Sequence, residues 1–396
     1  MVEAALKRVV VVGGSLSGIR TAENLRRQGF DRQLTVVGAE RHLPYQRPPL
    51  SKQFLAGSWD ESALALRVDY SLDIQMRLGT SATELDLGRR HVLMSDGEVM
   101  PYDVLVVATG AEPRTLAHAT EMTGVYTLRT IEDCVAIRGD LARCPRVAVV
   151  GAGFIGSEVA ATCRRLGLEV TLIEPLGLPM VRAVGIEIGQ LCAQMHADHG
   201  VHLRLGTGVS ALEGSDRVQG VRLSDGSRVD ADVVVLGIGV RPSTDWLTDS
   251  GLHLDDGVVC DETGAAAGRD DVFAVGDVAR FWHADHQRYV RLEHWDNAIE
   301  QARVVAANIV AGRQGARPYA PVGSFWSDQF DTKLQLVGIP QSGDEVVIVD
   351  GKRTDRRFVA AYGHGGITSA ILAWNQPHLV AKFRSAVTDR MPFPPY

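Results

Sequence analysis

The stretch Arg8-Val9-Val10-Val11-Val12-Gly13-Gly14-Ser15-Leu16-Ser17-Gly18 decides the fold, because the chain carries it twice. The second copy is Arg146-Val147-Ala148-Val149-Val150-Gly151-Ala152-Gly153-Phe154-Ile155-Gly156. Each reads as a short buried strand, a tight glycine turn and the start of a helix. In such a turn the first glycine makes the bend. The second lets the backbone approach a pyrophosphate, and the third lets helix and strand pack closely. Free N–H groups at the helix start then face the phosphate. Gly151, Gly153 and Gly156 fill all three positions, while Gly13 and Gly18 fill the outer two of the first copy around Ser15. Two such units predict two dinucleotides in one chain. A protein that holds two redox dinucleotides moves electrons between them.

Working outward, Gly18–Arg27 reads as the first helix and Leu34–Val37 as the second strand, closed by Gly38-Ala39-Glu40. Leu43–Lys52 is a loop stiffened by Pro44, Pro48 and Pro49. Asp96-Gly97 marks a hairpin, and Asp103–Ala108 is a buried strand ending at Thr109-Gly110. The second cycle repeats this order: strand 147–150, helix Ile155–Leu166, strand Glu169–Ile173 ending at Glu174, a hairpin at Ser224-Asp225-Gly226, and strand Asp232–Ile238 ending at Gly239. Matching elements lie roughly 130 to 140 residues apart, a domain-scale repeat and not a solenoid. The strand through Asp271–Val275 delivers Gly276 and Asp277, and a helix follows over 296–310. That strand is expected to complete the first sheet, with the second domain inserted in the first. From about Pro321 the runs Lys333–Val337 and Glu345–Val349 predict a third, smaller domain, and Met391–Tyr396 a tail on its surface. The expected class is α/β: two Rossmann-like dinucleotide-binding domains, one inserted in the other, plus a small C-terminal α+β domain. The expected boundaries are 1–112 with 241–320, then 113–240, then 321–396.

A chain of 396 residues is long enough for two or three domains with proper cores. The net charge of -7 disfavours nucleic acid as a partner, yet permits a local basic patch. The five cysteines, Cys134, Cys144, Cys163, Cys192 and Cys260, have neither zinc nor iron–sulfur spacing. Their odd count and scatter fit a reducing compartment. No stretch approaches the ~18 apolar residues of a membrane span, and Val9–Val12 is strand-length, not a signal core. A soluble, cytoplasmic protein with no metal site is expected.

Glu40 and Glu174 stand at the strand ends where an acid accepts bonds from ribose hydroxyls and repels a 2′-phosphate. Glu174, followed by Pro175, therefore favours NADH over NADPH; Arg182 lies near enough in sequence to complicate this. Beside the glycines, Leu16, Phe154 and Ile155, with the strand-end residues Thr109, Gly110 and Gly276, are candidate cofactor contacts. Lys52 ends the stiff loop, and Glu158 sits one turn into a fairly apolar helix, where a charge is costly unless paired. Each alone also fits an exposed charge. His294 fits a structural or stacking role, and Trp295 and Trp326 leave ring stacking and core packing both open.

Taken together, the chain resembles the FAD-dependent NADH:ferredoxin reductases that serve cytochrome P450s and ring-hydroxylating dioxygenases, within the glutathione-reductase-like flavoproteins. The resemblance spans essentially the whole chain. It rests on Pro44–Lys52, Leu128-Arg129-Thr130, Gly237–Pro242, Asp271–Val278, Glu293–Ala298 and Phe325–Gln329. It implies FAD, bound non-covalently, on the first glycine turn and NADH on the second. Ser17, Glu40, Arg47, Lys52, Ala82, Arg129, Asp277 and Trp295 match family FAD contacts. Lys52 would lie near the flavin N5, paired with Glu158, which would also approach the nicotinamide. Glu174 matches the acid reading the adenine ribose, Gly239 a position lining the nicotinamide channel, and Trp326 the stretch facing the flavin. Ser15 and Ala39 depart from the family pattern, which usually has glycine or alanine at the first and often an acid at the second. Dithiol relatives carry a redox cysteine pair where this chain has Pro49-Leu50-Ser51-Lys52.

The implied acceptor is a small [2Fe-2S] ferredoxin, docked transiently on a locally basic face, with a P450 or ring-hydroxylating oxygenase downstream and the reductase a monomer or a dimer. Two rivals stay open: reduction of another acceptor (rubredoxin, a quinone or a small metabolite), and a flavin-holding interaction protein that responds to NADH.

Overall fold

The valine run Arg8–Val12 is the central strand of a five-stranded sheet. The order is Val272–Ala274, Val104–Val107, Arg8–Val12, Gln33–Gly38, Gln75–Leu78, with every pairing parallel. Such strands are apolar throughout because helices cover the sheet. The structure is a computed structural model that describes residues 6–117, 119 and 122–395. Val147–Val150 takes the same central place in a second parallel sheet, ordered His202–Leu205, Val170–Glu174, Val147–Val150, Val233–Leu236, Val125–Thr127. The two sheets differ in the source of their fifth strand. In the second it precedes the glycine turn in the chain; in the first it comes from Val272–Ala274, beyond the whole second cycle. This is the completing strand expected from Asp271–Val275.

Contacts divide the chain into two compact units. One comprises residues up to Gln46, Ala65–Glu112 and Arg241–Gly323; the other comprises Arg47–Leu64, Pro113–Val240 and Ser324–Tyr396. In the first unit, helices Leu16–Arg27 and Trp295–Gly315 pack on one face of the sheet, with Ala22, Leu25, Val305 and Ile309 in its core. A three-stranded antiparallel meander, Ala82–Asp86, His91–Met94 and Val99–Pro101, is appended. Its counterpart in the second unit is Val209–Gly214, Val218–Leu223 and Arg228–Asp230. The expected hairpin turns join the last two strands of each. There Asp96 and Asp225 each accept a backbone N–H from two residues on, the self-bonding that favours Asp in turns.

The C-terminal segment forms an antiparallel sheet ordered Ser324–Gln329, Thr332–Gly338, Ile367–Trp374, Arg357–His364, Glu345–Lys352. Helix Pro377–Thr388 covers one face through Leu379, Val380 and Phe383. Helix Val181–Asp198 packs against the other through Val184, Ile188, Cys192 and Met195. The Tyr362 hydroxyl donates to the Val184 carbonyl at 2.7 Å. This segment therefore shares a core with helix Val181–Asp198 of the second Rossmann-like half and clusters with that half, although the sequence pattern marks a separate domain from 321. In the expected tail, Phe393 packs so close that a Cβ on Gly363 would lie 2.3 Å from its ring; Tyr396 lies outside the described residues. Among the described residues no helix is long and apolar enough to cross a membrane.

The placement of residues 47–64 differs from the expected boundary. They leave the first unit and join the second. The Pro48–Ser51 segment closes as a single 3-10 turn. The Thr162 hydroxyl donates to the Ser51 carbonyl at 2.8 Å, and the Cys134 thiol to the Leu50 carbonyl at 3.2 Å. The Arg138 guanidinium lies over the Phe54 ring. These contacts are made by side chains far away in sequence, which a linear reading of the loop does not show.

The two glycine turns close on themselves. A Cβ on Gly18 would sit 1.8 Å from the Gly13 carbonyl oxygen, and one on Gly156 1.9 Å from that of Gly151. At Gly153 the same test meets nothing within 4 Å. Gly156→Ala should therefore cost more than about 4 kcal/mol, and Gly153→Ala less than about 1 kcal/mol. Thermal unfolding of the two variants beside the native protein measures the difference; equal midpoints would refute the steric argument.

Candidate functional site

The first glycine turn lies in the first unit. Ser15 is the N-cap of helix Leu16–Arg27, in extended backbone geometry, and the first helical turn contains no acid. Uncompensated N–H groups and a positive dipole end are what a phosphate requires. Ser17 packs beneath Gly276; a Cβ there would lie 2.7 Å from the Ser17 hydroxyl. The Gly276 amide donates to the Gln301 side chain at 2.8 Å, which fixes the turn that presents Asp277. Trp295 opens helix Trp295–Gly315 and packs on the cluster of Leu16 and Ile19. Glu40 accepts from the Tyr45 hydroxyl at 2.5 Å. The Thr109 hydroxyl donates to the Ser243 carbonyl at 2.7 Å, and the Gly110 carbonyl accepts from the Ser243 amide at 3.0 Å. Ala82 begins the meander. His294, just before Trp295, is half-buried, and desolvation of its ring lowers its pKa.

The second turn lies in the second unit. Gly153 caps helix Phe154–Arg165 with open space before it. The Phe154 ring stacks, tilted, on Phe325 with centroids 4.2 Å apart, while Ile155 is exposed. Glu174 is buried at the end of its strand. One of its oxygens accepts from the Ala152 amide at 2.7 Å and the other from the Leu176 amide at 3.0 Å. Two acceptor sites remain on that carboxylate. Sequence reasoning gave Glu174 only a ligand to read; the structure adds that it holds the glycine turn itself. Gly239 lies in the left-handed region at φ 94°, and its carbonyl accepts from the Arg114 amide at 2.9 Å. Arg182 is exposed.

The second unit also brings Lys52 and Glu158 together. The Lys52 ammonium lies 2.6 Å from Glu158 Oε2, and the residues are 7% and 5% exposed. The pairing expected from their cost in isolation is thus present, and the exposed-charge alternative is excluded. The Ser51 hydroxyl donates to the same oxygen at 2.5 Å, and the Ser327 hydroxyl donates to Glu158 Oε1 at 2.8 Å. Three donors thus reach this carboxylate, two on Oε2 and one on Oε1, as burying a charge demands. Arg47 donates to the Arg129 carbonyl at 2.6 Å, which joins two further predicted residues. Trp326 is half-buried on the strand face opposite Ser327.

Sequence reasoning missed Ser51 and Ser327, which bond the pair, and Gln329 and His196, which extend the row from Ser327. The alternation of Phe325–Gln329 could have marked Ser327 and Gln329 as inward-facing. His196 carried no signal, since its helix was not foreseen. The Thr130–Asp133 capping box, which starts helix Ile131–Leu141, was a legible signal left unread.

The residues fit the expected groups: two phosphate-ready helix starts, and a buried ammonium–carboxylate pair in the segment where a dithiol enzyme would carry its cysteines. Of the five thiols, Cys134, Cys163, Cys192 and Cys260 are buried and Cys144 is exposed. Burial pushes the Cys134 and Cys163 thiols up to about 12, so neither supplies a thiolate near neutrality.

Comparison with known proteins agrees with this geometry. Residues 7–302 match the family model of pyridine nucleotide-disulphide oxidoreductases, and residues 324–396 match that of the reductase C-terminal domain. The chain is 36% identical over 397 residues to putidaredoxin reductase CamA of Pseudomonas putida, covering 98% of this chain and 93% of that one. It is 37% identical over 343 residues to the ferredoxin reductase component of chlorobenzene dioxygenase from Cupriavidus sp. (strain PS12), covering 86% and 82%. The crystal structure of the ferredoxin reductase for the CYP199A2 system from Rhodopseudomonas palustris superposes with a TM-score of 0.90 at 34% identity, covering 95% of this chain and 93% of that one. The chain belongs to the pyridine nucleotide-disulphide oxidoreductases, in the branch of FAD-dependent NADH:ferredoxin reductases.

Proposed function

We propose that this protein oxidises NADH and reduces a small [2Fe-2S] ferredoxin through bound FAD, supplying a P450 or a ring-hydroxylating oxygenase. The observation that carries the reading is the buried Lys52–Glu158 pair, standing where dithiol relatives place their redox cysteines. Bound FAD supplies the chemistry, taking two electrons as hydride and releasing them singly. The chain supplies binding, orientation and charge.

The N–H groups around Gly13, Ser15, Leu16, Ser17 and Gly18 take the FAD pyrophosphate, and Glu40 takes its ribose. Ser15 in place of a glycine offers a hydroxyl to the phosphate. Arg47, Ala82, Thr109, Gly110, Arg129, Gly276, Asp277 and Trp295 are the further FAD contacts, with Trp326 facing the flavin. Gly151, Gly153, Phe154, Ile155 and Gly156 form the NADH phosphate turn. Glu174 takes the adenine ribose through its remaining acceptor sites, and Gly239 lines the nicotinamide side. Arg182, exposed on the following helix, makes the outermost contact. Lys52 stabilises negative charge on the reduced flavin, and Glu158 holds the ammonium in place. No protein group needs to donate or remove a proton for hydride transfer.

The oxygenase class, a cytoplasmic location and a monomeric state belong to the same proposal, as do three functional domains within the two structural units. A transient ferredoxin contact calls for a small, locally basic surface despite the net charge of -7.

The purified protein should be yellow, and anaerobic NADH should bleach it. Turnover with a [2Fe-2S] ferredoxin should exceed that with rubredoxin, a quinone or a small oxidised metabolite. A colourless protein that takes up no FAD would refute the proposal, and prompt bleaching with no acceptor turnover would favour a signalling flavoprotein. Gly153→Ala should raise the KM for NADH about tenfold or more while keeping the native unfolding midpoint and FAD content. Glu174→Gln removes the charge that repels a 2′-phosphate. It should shrink the preference for NADH over NADPH by about tenfold or more, the worth of ~1.4 kcal/mol, as measured by the ratio of kcat/KM values.

A further inference from the structure

Glu158 stands at the end of a buried chain of hydrogen bonds that runs away from Lys52 into the C-terminal sheet. Ser327 donates to Glu158 Oε1 at 2.8 Å, and Gln329 Nε2 donates to the Ser327 hydroxyl at 3.0 Å. His196 Nε2 lies 3.0 Å from Gln329 Oε1. Ser327, Gln329 and His196 are fully buried. They come from two elements, helix Val181–Asp198 and strand Ser324–Gln329, while Glu158 belongs to a third, helix Phe154–Arg165.

The direction of every bond is fixed by chemistry. Gln329 Nε2 also points at the Met180 sulfur at 3.3 Å, a weak acceptor and no donor. The amide therefore presents N–H to Ser327 and its oxygen to His196. An amide oxygen only accepts, so His196 must carry its proton on Nε2. Its Nδ1 has no partner among the described residues. Burial lowers the His196 pKa to about 4, so the ring is neutral across the physiological range. Each donor in the row points toward the carboxylate, and aligned bonds of this kind polarise one another.

The other ionisable groups near Glu158 have their own partners. Glu174 bonds the Ala152 and Leu176 amides. Asp328, next to Ser327 in sequence, pairs with Lys333 at 3.1 Å. His199 stacks on Phe330. Among the described residues, Lys52 is thus the one charged group bonded to the Glu158 carboxylate.

We propose that Ser327, Gln329 and His196 are positioning residues that set the electrostatic field of the Lys52–Glu158 pair, and through it the reduction potential of the bound flavin. This rests on the placement of Lys52 beside the flavin proposed above. The donor row offsets the negative charge of Glu158. Weakening it leaves more negative potential around the pair, which disfavours electrons on the flavin.

The test is the two-electron midpoint potential of FAD in the purified holoenzyme, with FAD content and unfolding midpoint recorded for each variant. Ser327→Ala should lower the redox equilibrium about tenfold, equivalent to about 30 mV. Gln329→Leu should shift it in the same direction, and Ser327→Thr, which keeps the hydroxyl, should restore the native value. Glu158→Gln should raise the potential, and adding Ser327→Ala to it should change nothing further, because the row acts through that carboxylate. Should Ser327→Ala fail to fold, Gln329→Leu alone and combined with Glu158→Gln answers the same question. An unchanged potential in Ser327→Ala and Gln329→Leu, while Glu158→Gln shifts it, overturns this inference alone. An unchanged potential in both Glu158→Gln and Lys52→Met overturns the placement of Lys52 by the flavin, and this inference with it.

Discussion

Burying an ammonium against a carboxylate is the constraint around which the second unit is organised. Each ion loses several kcal/mol of hydration, and the mutual attraction offsets that loss only if the remaining donors and acceptors are satisfied. At Glu158 that need is met by three donors, Ser51 and Ser327 in addition to Lys52. Meeting that demand fixes three stretches of chain that are remote in sequence. Residues 47–64 must fold onto helix Phe154–Arg165, and strand Ser324–Gln329 must lie along that helix with Ser327 inward. The pair explains why the 47–64 loop leaves the unit that precedes it in the chain. It also gives the C-terminal sheet a polar attachment to the second Rossmann-like core in addition to the apolar one.

The glycine turns were legible because their constraint is local. Where Cβ would meet a carbonyl oxygen five residues back, only glycine fits, whatever surrounds the turn. The valine runs were legible for the same reason, since a strand buried on both faces must be apolar at every position. Strand 147–150 falls where the pattern put it, and the first helix starts two residues earlier than expected, at Leu16, because Ser15 caps it. The completing strand at Val272–Ala274 was legible as an apolar run that delivers Gly276 and Asp277 after the second cycle.

What was not legible depends on contacts between distant residues. Nothing in Pro44–Lys52 says which core will accept it, since the decisive bonds come from Thr162, Cys134 and Glu158. Helix Val181–Asp198 was hidden because it is interrupted at Gly185, whose φ of 76° and ψ of 177° break the regular period. With the helix went His196. At the site, the paired charges could be named as candidates because an unpaired charge in an apolar helix is costly. The neutral residues that complete the pair could not, because serine and glutamine are costly only once they are known to be buried.

On the proposed reading, Glu174 serves fold and recognition together. Its bond to the Ala152 amide ties it to the glycine turn, and its bond to the Leu176 amide fixes the chain just after its own strand. The same bonds set the position of the carboxylate, so the acceptor offered to a ribose cannot drift as a solvated side chain would. The charge proposed to exclude a 2′-phosphate is thereby placed with the rigidity of the backbone. Removing it changes two things at once, and they separate by their signatures. A loosened turn raises the KM for both nucleotides alike, whereas loss of the charge changes only their ratio. The ratio therefore measures recognition even in a variant whose turn has lost some order.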